Sequence, residues 1–182
     1  MEYSINIPDF DDAREMFLLA KDRLLDINDW NSLFAGNEYN ILLTNDKGQK
    51  RHRDARVDDL VNISATNNMG NTSETWVKIK TIQYDFFPDI RSESISILLE
   101  MTYSPSGDGV DNMSNEVATI LIKREGCIVT AHCNAANELP TADAETPNDM
   151  LTTDIGLHPV LGIPHVHLQQ LLQGLVALRE DV

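Results

Sequence analysis

The residues best equipped for chemistry gather near the end of the chain. His158, His165 and His167 follow Asp149 and Asp154. Imidazoles and carboxylates of this kind are ordinary zinc donors. An H-x-H pair ligates one ion when both rings lie on one face of a strand. On a helix, two positions turn ~200° about the axis and the rings diverge. Pro164 stands where a helix can start, so His165 and His167 read as helix-start residues and no metal site is assigned. Cys127 and Cys133 are six positions apart on one strand, roughly 20 Å at ~3.3 Å per residue, too far to bridge. Both point with Val129, Ala131 and Ala135, as core residues do. His132 faces the other side of the sheet, which removes a Cys–His pair between those neighbours. Glu100 and Glu138 are carboxylates near strand ends and read as solvent-facing. G-x-S-x-G, Walker A, G-x-G-x-x-G, H-E-x-x-H and C-x-x-C are absent from the sequence, which argues against the commonest hydrolase, NTPase and dehydrogenase classes. The sequence names no catalytic residue and no cofactor, and leaves open whether the chain is an enzyme.

The elements that must position these residues are easier to read. Asp9 is a helix N-cap, with Asp11, Asp12 and Glu15 where the helix dipole favours negative charge. Phe10, Ala13, Phe17, Ala20, Leu24 and Ile27 share one face. Asp12, Glu15, Asp22, Arg23 and Asp26 share the polar one, and Leu19 interrupts it. Asn28-Asp29 ends the helix. Tyr39–Leu43, Val57–Ala65, Trp76–Phe87, Ile95–Tyr103, Val117–Lys123 and Cys127–Ala135 read as strands. Trp76–Phe87 changes phase between Ile79 and Ile82, as a β-bulge would make it. Gln49–Arg56 is the one basic cluster, expected as a charged edge strand or loop, with an anion or phosphate site as the alternative. Residues 137–160 form an acidic loop or lid, with a helical piece from Thr146 to Thr152. Pro164–Glu180 is expected as one long helix whose apolar arc holds Leu168, Leu171, Leu172, Leu175, Val176 and Leu178. Gly174 lies just outside that arc and implies a close backbone approach.

Together these make a single α+β domain over residues 1–182: a curved antiparallel sheet of about six strands, an N-terminal helix and a long C-terminal helix. Of 182 residues, 14 are Lys or Arg and 29 are Asp or Glu, for a net charge of −15. That balance excludes a general nucleic-acid binder and an anionic-membrane binder. No apolar run reaches the ~18 residues of a spanning helix, and Met1–Asn6 lacks the pattern of a signal peptide. A cytoplasmic protein with reduced thiols is expected.

A bulged sheet closing on a terminal helix resembles the helix-grip superfamily of START-like and polyketide-cyclase-like domains. The likeness runs over Tyr39–Leu43, Val61–Ala65, Trp76–Phe87, Ile95–Tyr103, Val117–Ala135 and Pro164–Glu180. Leu24–Trp30 and Val129-Thr130-Ala131 look like uncharacterised bacterial proteins of that kind. Such domains commonly begin with a strand, for which Met1–Ile7 is barely long enough, and the acidic insert is atypical. The resemblance implies an apolar or aromatic small molecule held between sheet and helix. Its lining would be Ile95, Ile97, Leu99, Met101 and Tyr103, with Trp76 or Phe86, and Leu171 and Leu175 from the helix. The rival reading fills the core with those side chains and makes the chain an interaction or assembly module, a homo-oligomer among its forms, working through its acidic surface.

Overall fold

The computed structural model describes residues 1–34, 36, 38–107, 115–137 and 159–178. Among the described residues, apolar alternation resolves into seven antiparallel strands rather than about six. These are β1 (Glu2–Asn6), β2 (Tyr39–Thr44), β3 (Leu60–Thr66), β4 (Thr72–Phe87), β5 (Ser92–Thr102), β6 (Glu116–Glu125) and β7 (Ile128–Asn137). They make one curled sheet in the order β1-β7-β6-β5-β4-β3-β2. The fold is α+β. The added strand is β1, which pairs Tyr3 with Ala131 and Ile5 with Val129. The expected acidic lid falls, apart from its first residue and last two, outside the described residues, as does its helical piece.

The phase change in β4 is a bulge. Ile79 pairs with Leu99, Lys80 is the extra residue, and Thr81 pairs with Leu98. Val77 and Ile79 therefore share the inner face with Ile82, Tyr84 and Phe86, and the sheet bends there. Ile95, Ile97 and Leu99 meet Ile122, Ile120 and Ala118 across β6 on the same face. Helices α1 (Phe10–Leu25) and α2 (His165–Leu175), with a 3₁₀ turn at Ile27–Leu33, cover that face and complete one apolar cluster.

Helix α1 begins as its sequence dictates: the Asp9 side chain accepts from the Asp12 amide at 3.0 Å. Two expectations for it are corrected. Leu19 is not on a bare polar face but partly buried against the core. Arg23 is buried, because its guanidinium donates to the carbonyls of Gly174, Leu175 and Ala177 at 3.1, 3.2 and 2.7 Å. Those are the carbonyls that a helix C-terminus leaves without partners. The terminal helix is accordingly shorter than Pro164–Glu180. Pro164, extended at ψ 151°, is its N-cap rather than its first residue, and Val176 ends it. Leu178, expected on the buried arc, is exposed.

The 3₁₀ turn protects a sheet edge. Asn31 pairs with both backbone groups of Ile41, accepting at 2.7 Å and donating at 2.8 Å. The Asn28 side chain accepts from the Leu43 amide at 2.9 Å. Two amide side chains thus stand in for the next strand on β2.

Gly174 lets α2 lie against this turn. A Cβ there would sit 2.9 Å from Leu33 Cβ and 3.0 Å from its Cδ2. Helix propensity alone favours alanine by ~1 kcal/mol, but a collision with the stem of a side chain typically costs about 1–3 kcal/mol. Gly174→Ala is therefore expected to lower stability in a urea titration, and a gain would place the helix farther from the turn.

Candidate functional site

The sequence-expected lining divides in two. Ile97, Leu99, Met101, Leu171 and Leu175 come together in the cluster beneath the helices. Ile97, Leu171 and Leu175 are 0% exposed and Leu99 is 2% exposed. A side chain with no accessible surface borders no space that water could enter, so Ile97, Leu171 and Leu175 are packed against protein and Leu99 very nearly so. Trp76 is not with them. It pairs with Thr102 while its neighbour Val77 pairs with Met101, which puts the indole on the outer face. There it lies near Pro105 and the Gly48 turn. Phe86, opposite Glu93 on the inner face, is 44% exposed, and Tyr103, one residue past the end of β5, is 55% exposed; the Arg14 guanidinium rests 5.8 Å from the Phe86 ring centre.

A pocket of about 250 Å³ opens at the far end of the sheet, bordered by Glu38, Tyr39, Ala65, Thr66, Asn67, Asn71, Thr72 and Ser73. The register explains the grouping. Tyr39 pairs with Ala65 and Thr66 pairs with Thr72, so the start of β2 meets the β3–β4 turn. That turn is held by Asn67, whose side chain accepts from the amides of Met69 and Asn71 at 3.0 and 2.9 Å. Gly70 supplies the positive φ of 80° that the turn requires.

Helix α2 brings a ring to this end of the molecule. The His167 and Tyr39 ring centres are 4.8 Å apart, and Phe34 stands 5.6 Å from Tyr39. His167 Nε2 is 3.8 Å from Glu38 Oε2. Its Nδ1 is buried and, among the described residues, has no hydrogen-bond partner. Burial, and then the neighbouring Glu38 charge, raise the Tyr39 pKa above its ordinary value. The phenol therefore stays neutral and able to donate at physiological pH. The assembly offers one carboxylate, aromatic rings, and several hydroxyl and amide groups.

Sequence reasoning placed these residues without joining them. By sequence Tyr39 reads as a strand residue and His167 as a helix-start residue, Thr66–Ser73 falls between two strands, and no local spacing links positions 39, 72 and 167. Of the histidine group, His158 lies outside the described residues, as do Asp149 and Asp154. Among the described residues no three His, Cys, Asp or Glu side chains converge as metal ligands. The basic cluster is a loop in which Arg53 is used internally, bonding Asp59 at 2.6 and 3.0 Å.

The cysteines differ in burial: Cys127 is half-buried and Cys133 buried. Cys133 is buried beside β1, and burial pushes its thiol up from 9.0 to about 11. A folded pKa above the unfolded one stabilises below pH ~9 and is lost as pH rises toward ~11. Denaturant titrations of wild type and Cys133→Ala at pH 8 and 10.5 check this: wild type should lose about 2 kcal/mol more than the variant on that shift. At pH 8, Cys127 is expected to react with a thiol reagent before Cys133 does.

No protein-family model matches the chain, and a search of curated proteins returned no match. Among the described residues, no helix is long and apolar enough to cross a membrane.

Proposed function

We propose that this chain is a small-molecule-binding domain of the helix-grip kind, with its site at the mouth between the β2–β4 end of the sheet and the start of α2. One observation carries the reading: the 250 Å³ pocket places Glu38 and Tyr39 at its wall, with His167 packed against both. Ligand sites combine a concave wall with a few convergent polar groups and a titratable one. The volume is just below the ordinary range of ~300–1,000 Å³ for drug-sized ligands, so the ligand is small. An apolar ligand deeper under the helices needs Ile97, Leu171 and Leu175 to move apart, since they are fully buried. A strand before the first helix, β1, supports the helix-grip likeness by supplying what Met1–Ile7 was barely long enough to hold.

That filled inner face also favours the second reading, an assembly module using the acidic surface of a chain at −15. Native mass spectrometry of freshly purified protein, alone and with a fragment mixture, separates the two. A 1:1 small-molecule adduct on wild type, lost in Ser73→Trp, whose side chain is on the Tyr39 face of the sheet, is the expected result. A defined oligomer that takes no adduct would replace the binding reading with the assembly one.

A further inference from the structure

The pocket has a sign. Among the described residues its lining holds one acidic residue, Glu38, with Tyr39, Ala65, Thr66, Asn67, Asn71, Thr72 and Ser73; Tyr39, Ala65 and Ser73 share one face of the sheet by register. No Lys or Arg is among them. The chain around it carries a net −15. A small anion entering would meet a like charge with no cation to receive it, and long-range steering would oppose its approach. A neutral molecule would leave Glu38 as it is.

Resting on the binding reading above, we infer that the ligand is a small organic cation, a compact amine whose ammonium group pairs with Glu38 beside the Tyr39 ring. Three features meet in this arrangement. Carboxylate and ammonium make a charge-assisted hydrogen bond. An aromatic ring beside a cation adds attraction through its quadrupole. The Ser73 side chain, on the same face of the sheet as Tyr39 by register, offers a hydroxyl oxygen that can accept a remaining ammonium proton. The protein already shows the pairing on a small scale: His167 Nε2 approaches the same carboxylate at 3.8 Å, a contact that is ionic only when the imidazole is protonated. The Glu38 side chain is 61% exposed, so its attraction is that of a partly solvated pair and not of a buried one.

The test is an amide-resolved NMR titration of the full chain at neutral pH with three probes of one shape: benzylamine, benzyl alcohol and benzoate. Protonated benzylamine is expected to shift the amides of Thr66, Asn67, Thr72 and Ser73 in a saturable way, more tightly than the alcohol, with benzoate weakest. Glu38→Gln, an exposed and isosteric change, should weaken the amine about fivefold, the value of a unit-charge contact at ~4 Å in water. It should leave the alcohol unaffected. If the alcohol or benzoate binds as well as the amine, or if Glu38→Gln leaves the amine unchanged, the cation inference is overturned while a small-molecule pocket stands. If none of the three moves these amides at millimolar concentration, the cation inference and the pocket reading fall together.

Discussion

Glu93→Ala is expected to destabilise the protein by about 3–5 kcal/mol, the cost of leaving a buried charge without its partner. Glu93 and Arg124 are 1% and 2% exposed. Their contact is direct, Arg124 Nε to Glu93 Oε1 at 2.8 Å. The other carboxylate oxygen accepts from the Tyr84 hydroxyl at 3.1 Å, and Arg14 approaches at 4.0 Å from α1. Arg124 also donates to the Gly126 carbonyl at 3.0 Å. The Phe10 ring lies between Arg91 and Arg124, 4.5 and 4.9 Å from their guanidinium carbons. The network joins β4, β5 and β6 to the first turns of α1. Alanine leaves Arg124 desolvated, Tyr84 without its acceptor and Arg14 of α1 without this ion pair. Glu93→Met combined with Arg124→Leu removes both charges and restores apolar packing, so it should recover most of the loss. Urea titrations of the two variants decide the point, and equal losses in both would mean that packing rather than charge governs the site.

Arg23→Met should cost about 2–4 kcal/mol, a range set by hydrogen bonds from a charged donor and by carbonyls left desolvated. Methionine retains most of the aliphatic volume and loses the donor. The guanidinium reaches three carbonyls at the end of α2, 151 to 154 residues away in sequence, and a positive charge at a helix C-terminus adds to the bonding. The Arg23 carbonyl accepts from Trp30 Nε1 at 3.1 Å, so one residue ties α1, the 3₁₀ turn and α2 together. All three bonds leave one nitrogen, Nη1, so lysine, whose ammonium carries three N–H groups, should rescue part of the loss. Hydrogen exchange should show lost protection in the last turn of α2 in Arg23→Met. Loss spread evenly over the molecule would instead point to a general packing defect.

These two residues show where sequence reading reaches its limit. The bulge at Lys80 was legible because a one-residue slip exchanges apolar and polar positions along β4. The close approach at Gly174 was legible because glycine is costly inside a helix. Arg23 lies on the polar side of α1 by helical angle, yet it is buried, because its partners come from the far end of the chain. β1 carries only Tyr3 and Ile5 as apolar signals, too few to mark a strand without β7 beside it. The length of α2 was overread because its apolar spacing continues to Leu178, while backbone geometry stops the helix at Val176. At the site, Trp76 precedes the bulge and Phe86 follows it, so the two fall on opposite faces. Glu38, Tyr39, the Asn67–Asn71 turn and His167 meet only through the register of β2, β3 and β4 and the docking of α2.

The proposed ligand site lies at the mouth of the sheet, with the buried apolar core beneath the helices. Methyl- and amide-resolved NMR with benzene and with protonated benzylamine tests both halves directly. Benzene, which enters dry apolar cavities, should leave the methyl signals of Ile97, Leu99, Leu171 and Leu175 unmoved. Benzylamine should shift the amides of Tyr39, Thr66, Asn67, Thr72 and Ser73. Saturable benzene shifts at those core methyls, with the mouth amides silent, would contradict the account and move the ligand under the helices.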